Sequence, residues 1–288
     1  MPTYHFISGL PRSGSTLLSA ILKQNPRFHA GMTSPVGGLF GTLIDNVSAG
    51  TEMAPMVDDD TRKRMLRGLF DSYYAGLPKK VEVVFDTNRA WTTRLADLDA
   101  LFKKDFKVIA CVRDLSWIID SLERQYRSNN FENTRLFNSW DERATVYSRA
   151  DTLARPNRLV GFAYQALREA CWSDYADRLL LVDYAHLVSQ PKDVLKLIYQ
   201  FIGEKEFAHD FDNVEYSAEA FDNQLGVRNL HTVRKKVGIE DRKTVLPPDL
   251  FKRFAEENFW RNLKGSKANV ISSAPTPAKD DGGEKKSA

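Results

Sequence analysis

Short unbroken runs of apolar residues alternate along this chain with longer stretches in which apolar positions recur every three or four residues. Tyr4 to Ser8, Val81 to Phe85, Lys107 to Val112 and Leu179 to Val182 are too short for helices and too continuous for one-sided strands. They read as strands buried on both faces, as in a parallel sheet. A helical pattern follows each. Ser15 to Lys23 gathers Leu17, Leu18, Ile21 and Leu22 on one face, with Pro26 just beyond its end. Ile118 to Glu169 reads as several helices, and Pro191 opens a helix over Lys192 to Ile202 that Gly203 stops. This alternation predicts an α/β fold: three layers, with a mostly parallel central sheet and flanking helices.

Residues 204 to 246 have weak periodicity and predict a covering loop region. Leu246-Pro247-Pro248-Asp249-Leu250 starts a last helix that ends near Trp260. Beyond Leu263 the chain turns to Ser, Ala, Pro, Lys, Asp and Gly, too little apolar area to order itself. The expectation is one domain over residues 1–263 and a disordered tail over 264–288.

Composition narrows the function. Charged residues make up 27%, but 41 basic and 38 acidic side chains leave a net charge of only +3. A dedicated nucleic-acid binder would carry a dominant basic face, so none is expected as a partner. Cys111 and Cys171 have no metal or disulfide spacing, and Cys111 lies inside an apolar run. No leader-like start and no apolar run long enough to span a membrane is present, so the expected location is the cytoplasm.

The first candidate chemistry lies between the first strand and the first helix. Gly9-Leu10-Pro11-Arg12-Ser13-Gly14-Ser15-Thr16 spaces two glycines as a nucleotide-binding P-loop does, but Ser15-Thr16 stands where that motif needs Lys followed by Ser or Thr. The physics of anion binding survives. A glycine-rich turn into a helix offers unpaired N–H groups and the positive end of the helix dipole. Ser13, Ser15 and Thr16 add hydroxyls, Gly14 permits close approach, and Arg12 supplies a cation that forks onto two oxygens. A capped helix after a Pro-Arg turn is the plainer alternative.

Phe6 to Leu18 resembles the 5′-phosphosulfate loop of sulfotransferases that use 3′-phosphoadenosine 5′-phosphosulfate (PAPS), in the Pro-Arg-Ser-Gly form of tyrosylprotein and many bacterial enzymes. The resemblance implies the P-loop-NTPase-like sulfotransferase fold and PAPS as donor, with 3′,5′-ADP as product. Arg113, ending the third strand, and Ser121, two helical turns on, are similar to the pair that holds the 3′-phosphate in that family. Val182-Asp183-Tyr184-Ala185-His186-Leu187 is similar to an element whose tyrosine lies near the adenine, which implies that place for Tyr184. Arg234 and Lys235 loosely resemble a C-terminal Arg-Lys-Gly element that closes over the 3′-phosphate.

Sulfuryl transfer should follow the in-line logic of phosphoryl transfer, with the protein supplying alignment and charge. Arg12 is the candidate for neutralising the bridging oxygen. Arg89, in Asp86-Thr87-Asn88-Arg89, stands where tyrosylprotein enzymes carry a catalytic lysine. The glutamate of those enzymes has no counterpart in Ala30 to Pro35, which argues against tyrosine sulfation. His231 is the preferred general base because imidazole titrates near neutrality; His29 and Asp86 are rivals. A small-molecule, lipid or sugar hydroxyl, or an amine, is the expected acceptor, and no metal is required.

Two other readings remain open. Val83-Val84-Phe85-Asp86 also suits a strand ending in a magnesium-binding aspartate, as in a P-loop kinase or nucleoside triphosphatase using ATP. A nucleotide-binding module without catalysis is the other.

Overall fold

The computed structural model describes residues 2–128, 136–224, 231, 233–239 and 241–272, with the side chains at 220, 221 and 224 excepted. Six strands form one sheet: β1 (Thr3–Gly9), β2 (Phe28–Ala30), β3 (Val83–Thr87), β4 (Val108–Val112), β5 (Leu179–Asp183) and β6 (Asn269–Ile271). Their order is β2-β3-β1-β4-β5-β6, and every pairing is parallel. The α/β class and the parallel sheet expected from the sequence are therefore present.

Why the central strands read as unbroken apolar runs is visible in β4. Val108, Ala110 and Val112 face one core layer with Phe6, Phe70, Trp91 and Phe102. Ile109 and Cys111 face the other with Ile7, Leu18, Ile21 and Ile198. Each successive side chain points to the opposite face, and helices cover both. Burial pushes the Cys111 thiol up to about 12, as a structural thiol requires.

Helices α1 (Ser15–Leu22), α2 (Val36–Val47), α3 (Asp59–Tyr73), α4 (Leu95–Phe102) and α5 (Leu115–Ser128) follow the strands in turn. The region read as several helices carries α5 and the helices Trp140–Arg143, Val146–Ala154 and Leu159–Cys171. The helix Pro191–Ile202 ends on Gly203 in the left-handed conformation, as its sequence predicts.

Two strands escaped the sequence reading, and each has three residues. β2 pairs with β3. β6 pairs with β5, so the ordered domain runs past the boundary expected at residue 263. Ladder bonds to Leu180–Val182 and burial of Ile271 offset the poor composition of that stretch. The remainder of the expected tail, residues 273–288, lies outside the described residues.

After β1 the chain goes to β2 and β3 on one side, then to β4, β5 and β6 on the other. The carboxyl ends of β1 and β4 thus flank the point where the winding reverses, the usual ligand crevice of an open parallel sheet.

Candidate active site

The loop from Gly9 to Gly14 starts at that crevice. Leu10 N–H donates to the Cys111 carbonyl at 2.9 Å, which pins the loop to the end of β4. A Cβ at Gly9 would stand 2.1 Å from the Cys111 oxygen, so no larger residue fits. Arg12 (φ 58°) and Gly14 (φ 95°) both occupy the left-handed region. Left-handed residues alternating with others in a turn curl backbone N–H groups around an anion. For Arg12, a residue with a Cβ, the conformation is strained, the kind of strain that gathers at ligand sites. Gly14 at the N-cap of α1 has no side chain to cap it, and the first turn of the helix holds no carboxylate. The sequence left the choice between cap and anion site open; the uncapped N-terminus favours the anion site.

Ser13 departs from expectation. The residue is 1% exposed, and its hydroxyl sits 2.5 Å from the Leu10 carbonyl and 2.8 Å from that of Cys111. A hydroxyl has one proton, and here it faces inward to brace the loop. Ser13 contributes shape and its backbone, not a hydroxyl donor. Ser15 and Thr16 open α1, half-buried at the mouth.

Around this loop the fold gathers the other predicted residues. Arg12 Nε donates to Ser121 Oγ on α5 at 3.1 Å. Arg113, just past β4, reaches the Arg12 carbonyl with Nη1 at 3.4 Å. Its guanidinium lies 4.4 Å from the centre of the Tyr184 ring. That ring in turn covers Gly14: a Cβ there would stand 2.6 Å from Tyr184 Cδ2. Arg12, Gly14, Arg113, Ser121 and Tyr184 are one contiguous group.

A third arginine belongs with them. Arg242 depresses the pKa of Arg12, second to burial, and that of Arg113 as well, after burial and against Tyr184. It is held by Asp120 on α5 at 2.9 Å and lies 5.1 Å from the Trp117 ring centre. Asp120 is fully buried and also accepts from Thr244 Oγ1 and Val245 N–H. The segment 241–246 is thereby fastened to α5 with its arginine beside the loop. No sequence motif marked Arg242; Arg234, the residue expected there, is exposed on the segment 233–239. Arg242 lowers the pKa of both Arg12 and Arg113, so a site holding these three guanidinium groups is unfavourable alone and fits a multiply charged anion.

Arg89 follows β3. Its carbonyl accepts from Ser8 Oγ at 3.1 Å, which sets it beside the end of β1. The side chain is exposed by area, yet enough protein surrounds it that burial lowers its pKa. That combination describes a cation lining a cleft.

His231 pairs with a residue the sequence did not single out. Its Nδ1 lies 2.6 Å from Asp222 Oδ1, and its own backbone N–H donates to Asp222 Oδ2 at 2.9 Å. Asp222 is 2% exposed and close enough to raise the pKa of Arg12. The dyad therefore stands near the loop. Its rivals are otherwise engaged. Asp86 is 0% exposed and accepts from Ser34 Oγ (2.5 Å), Tyr74 Oη (2.6 Å) and Trp91 Nε1 (2.8 Å). Burial raises its pKa against those bonds, and no face of it meets solvent, which suits neither a base nor a magnesium ligand. His29 packs on Tyr74, and burial lowers its pKa. Among the described residues no group of His, Cys, Asp and Glu is arranged to hold a metal, and no helix is long and apolar enough to cross a membrane.

Comparison with known proteins adds a family. The model of the sulfotransferase family matches residues 5–208. Among solved structures, a sulfotransferase domain from the curacin biosynthetic pathway is 18% identical, covering 72% of this chain and 76% of that one, with a TM-score of 0.46. A sulfotransferase domain from the Synechococcus PCC 7002 olefin synthase is 19% identical, covering 89% of each chain, at 0.44. A sulfotransferase from Alicyclobacillus acidocaldarius is 17% identical, covering 78% and 90%, also at 0.44. No curated protein matches the chain.

Proposed function

The chain belongs to the sulfotransferase family, and from that premise we propose that it moves a sulfuryl group from PAPS to a hydroxyl or amine of a small-molecule, lipid or sugar acceptor. The observation that carries this reading is the meeting of Arg12, Arg113 and Arg242 at an uncapped helix N-terminus, with Ser121 and Tyr184 completing the rim. So concentrated a set of cations fits a donor with charge at both ends.

PAPS would supply the sulfuryl group and depart as 3′,5′-ADP. The loop N–H groups from Arg12 to Thr16, with the hydroxyls of Ser15 and Thr16, would hold its 5′ side. Arg113, Ser121 and Arg242 would hold its 3′-phosphate, and Tyr184 would meet the base. Arg12 serves the bridging oxygen, where negative charge grows; preorganised cations of this sort stabilise the transition state most. Arg89 faces the cleft from the β3 side and contacts the transferred group or the acceptor. His231 takes the proton that the acceptor must lose.

Incubation with labelled PAPS and a panel of phenols, alcohols, sugars and amines, without added metal, tests this. Release of 3′,5′-ADP together with a labelled acceptor supports it. ATP consumption that requires magnesium, with PAPS left intact, overturns it.

A further inference from the structure

We infer that Asp222 is the positioning residue of His231, holding the imidazole so that Nε2 is the nitrogen that exchanges a proton with the acceptor. The inference rests on the reading of His231 as general base. One carboxylate makes both contacts: Oδ2 accepts the His231 backbone N–H at 2.9 Å, and Oδ1 meets Nδ1 at 2.6 Å. The first fixes where the residue sits, and the second fixes the rotation of its ring. The Asp222 carboxylate has no proton to give, so at 2.6 Å the proton between them belongs to Nδ1. A neutral ring protonated on Nδ1 carries its lone pair on Nε2.

The consequence for transfer is explicit. The acceptor O–H bond breaks, its proton moves to Nε2, and the oxygen's electron pair forms the new bond to sulfur as the bond from sulfur to the bridging oxygen breaks, its electron pair leaving on the 5′-phosphate of 3′,5′-ADP. The ring becomes an imidazolium with both nitrogens protonated, and the carboxylate 2.6 Å from Nδ1 offsets the new charge. Asp222 is itself withdrawn from water, at 2% exposure, and anchored on the short helix Glu219–Gln224 by its N–H bond to the Ala218 carbonyl. Its charge also acts on Arg12, the cation assigned to the leaving oxygen, and raises that group's pKa against burial. One buried carboxylate thus acts on both the group that would take the acceptor's proton and the group that would neutralise the departing nucleotide. A buried carboxylate that orients a histidine typically multiplies turnover by about tenfold or more.

The test compares wild type with Asp222→Asn, His231→Gln and the double variant. The first readout is the tautomer of the His231 ring by nitrogen-15 NMR in the protein without donor, assigned by its loss in His231→Gln. A proton on Nδ1 in wild type, shifted or mobile in Asp222→Asn, is expected. A wild-type ring protonated on Nε2 overturns the proposal, because that nitrogen then has no lone pair. The second readout is PAPS turnover with 2-naphthol as probe acceptor. Asp222→Asn should lower kcat about tenfold or more while KM for PAPS stays within about threefold, and the double variant should be no slower than His231→Gln. Full activity in Asp222→Asn alongside collapse in His231→Gln overturns the role of Asp222 alone. Full activity in His231→Gln overturns the base reading itself.

Discussion

Arg12 donates through Nε to Ser121 Oγ at 3.1 Å, so the loop after the first strand grips a helix 109 residues further along the chain. The bond orients the one guanidinium assigned to the leaving oxygen, and it joins the loop to the site proposed for the 3′-phosphate. Ser121→Ala should weaken binding of 3′,5′-ADP about tenfold, the value of one hydrogen bond to a charged group. Its melting temperature should stay near that of wild type. Calorimetric titration checks the first and a thermal melt the second; unchanged affinity would remove Ser121 from the site.

Gly14 is bounded by two constraints that a substitution meets separately. Its φ of 95° strains any L side chain, and a Cβ would stand 2.6 Å from Tyr184 Cδ2. Gly14→Ala should cost about 1–3 kcal/mol and lower the melting temperature by several degrees. Adding Tyr184→Ala should recover only the part due to the clash. Full recovery in the double variant would show that the backbone conformation carries no strain.

Asp120 holds Arg124 and Arg242 and receives two donors from residues 244 and 245. Replacing it with Asn removes the charge that tethers Arg242 beside the loop. Stability should fall by about 2 kcal/mol, less than for a fully enclosed pair because Arg124 reaches solvent. Affinity for 3′,5′-ADP should fall with it, because segment 241–246 loses its anchor. Denaturant melts and titration of the same variant read both effects. Loss of stability without loss of affinity would exclude Arg242 from binding.

Acid sensitivity follows from two histidines. Burial holds His5 and His209 near a pKa of about 4, whereas an unfolded histidine titrates near 6.5. A depressed native pKa means that the stability is fully present above about 6.5 and is lost as pH falls toward 4, because only the unfolded chain takes the proton. Asp86, whose native pKa is raised by burial, acts in the opposite sense through the carboxylate range. Melting temperature should therefore decline between about pH 6.5 and 4. His5→Gln, which keeps an acceptor for the Lys107 N–H now bonded to Nδ1, should flatten that decline. An unaltered slope would show that His5 is protonated in the native state.

The sheet and the turn between β1 and α1 were legible because their signals are local. An unbroken apolar run reports burial on both faces, and the Gly9 to Thr16 loop reports its own turn. Strands β2 and β6 have three residues each, too few for a periodicity, and exist because β3 and β5 offer ladder partners. Arg113 and Ser121 were singled out because their strand-helix unit resembles a family element, and both contact Arg12 in the fold. Arg242 and Asp222 were missed because their significance arises only from contacts made across the fold, to Asp120, to Arg12 and to His231. The inward turn of the Ser13 hydroxyl was equally hidden, since the carbonyl of Cys111 that attracts it lies 98 residues away.

The central claim is that Arg12 and Arg113 bind the two phosphate ends of a 3′-phosphoadenosine nucleotide. Calorimetric titration with 3′,5′-ADP, without magnesium, on wild type, Arg12→Ala and Arg113→Ala tests it most directly. Micromolar binding by wild type and at least about tenfold weaker binding by each variant are expected. Absence of binding by wild type, together with magnesium-dependent binding of ATP, would contradict it.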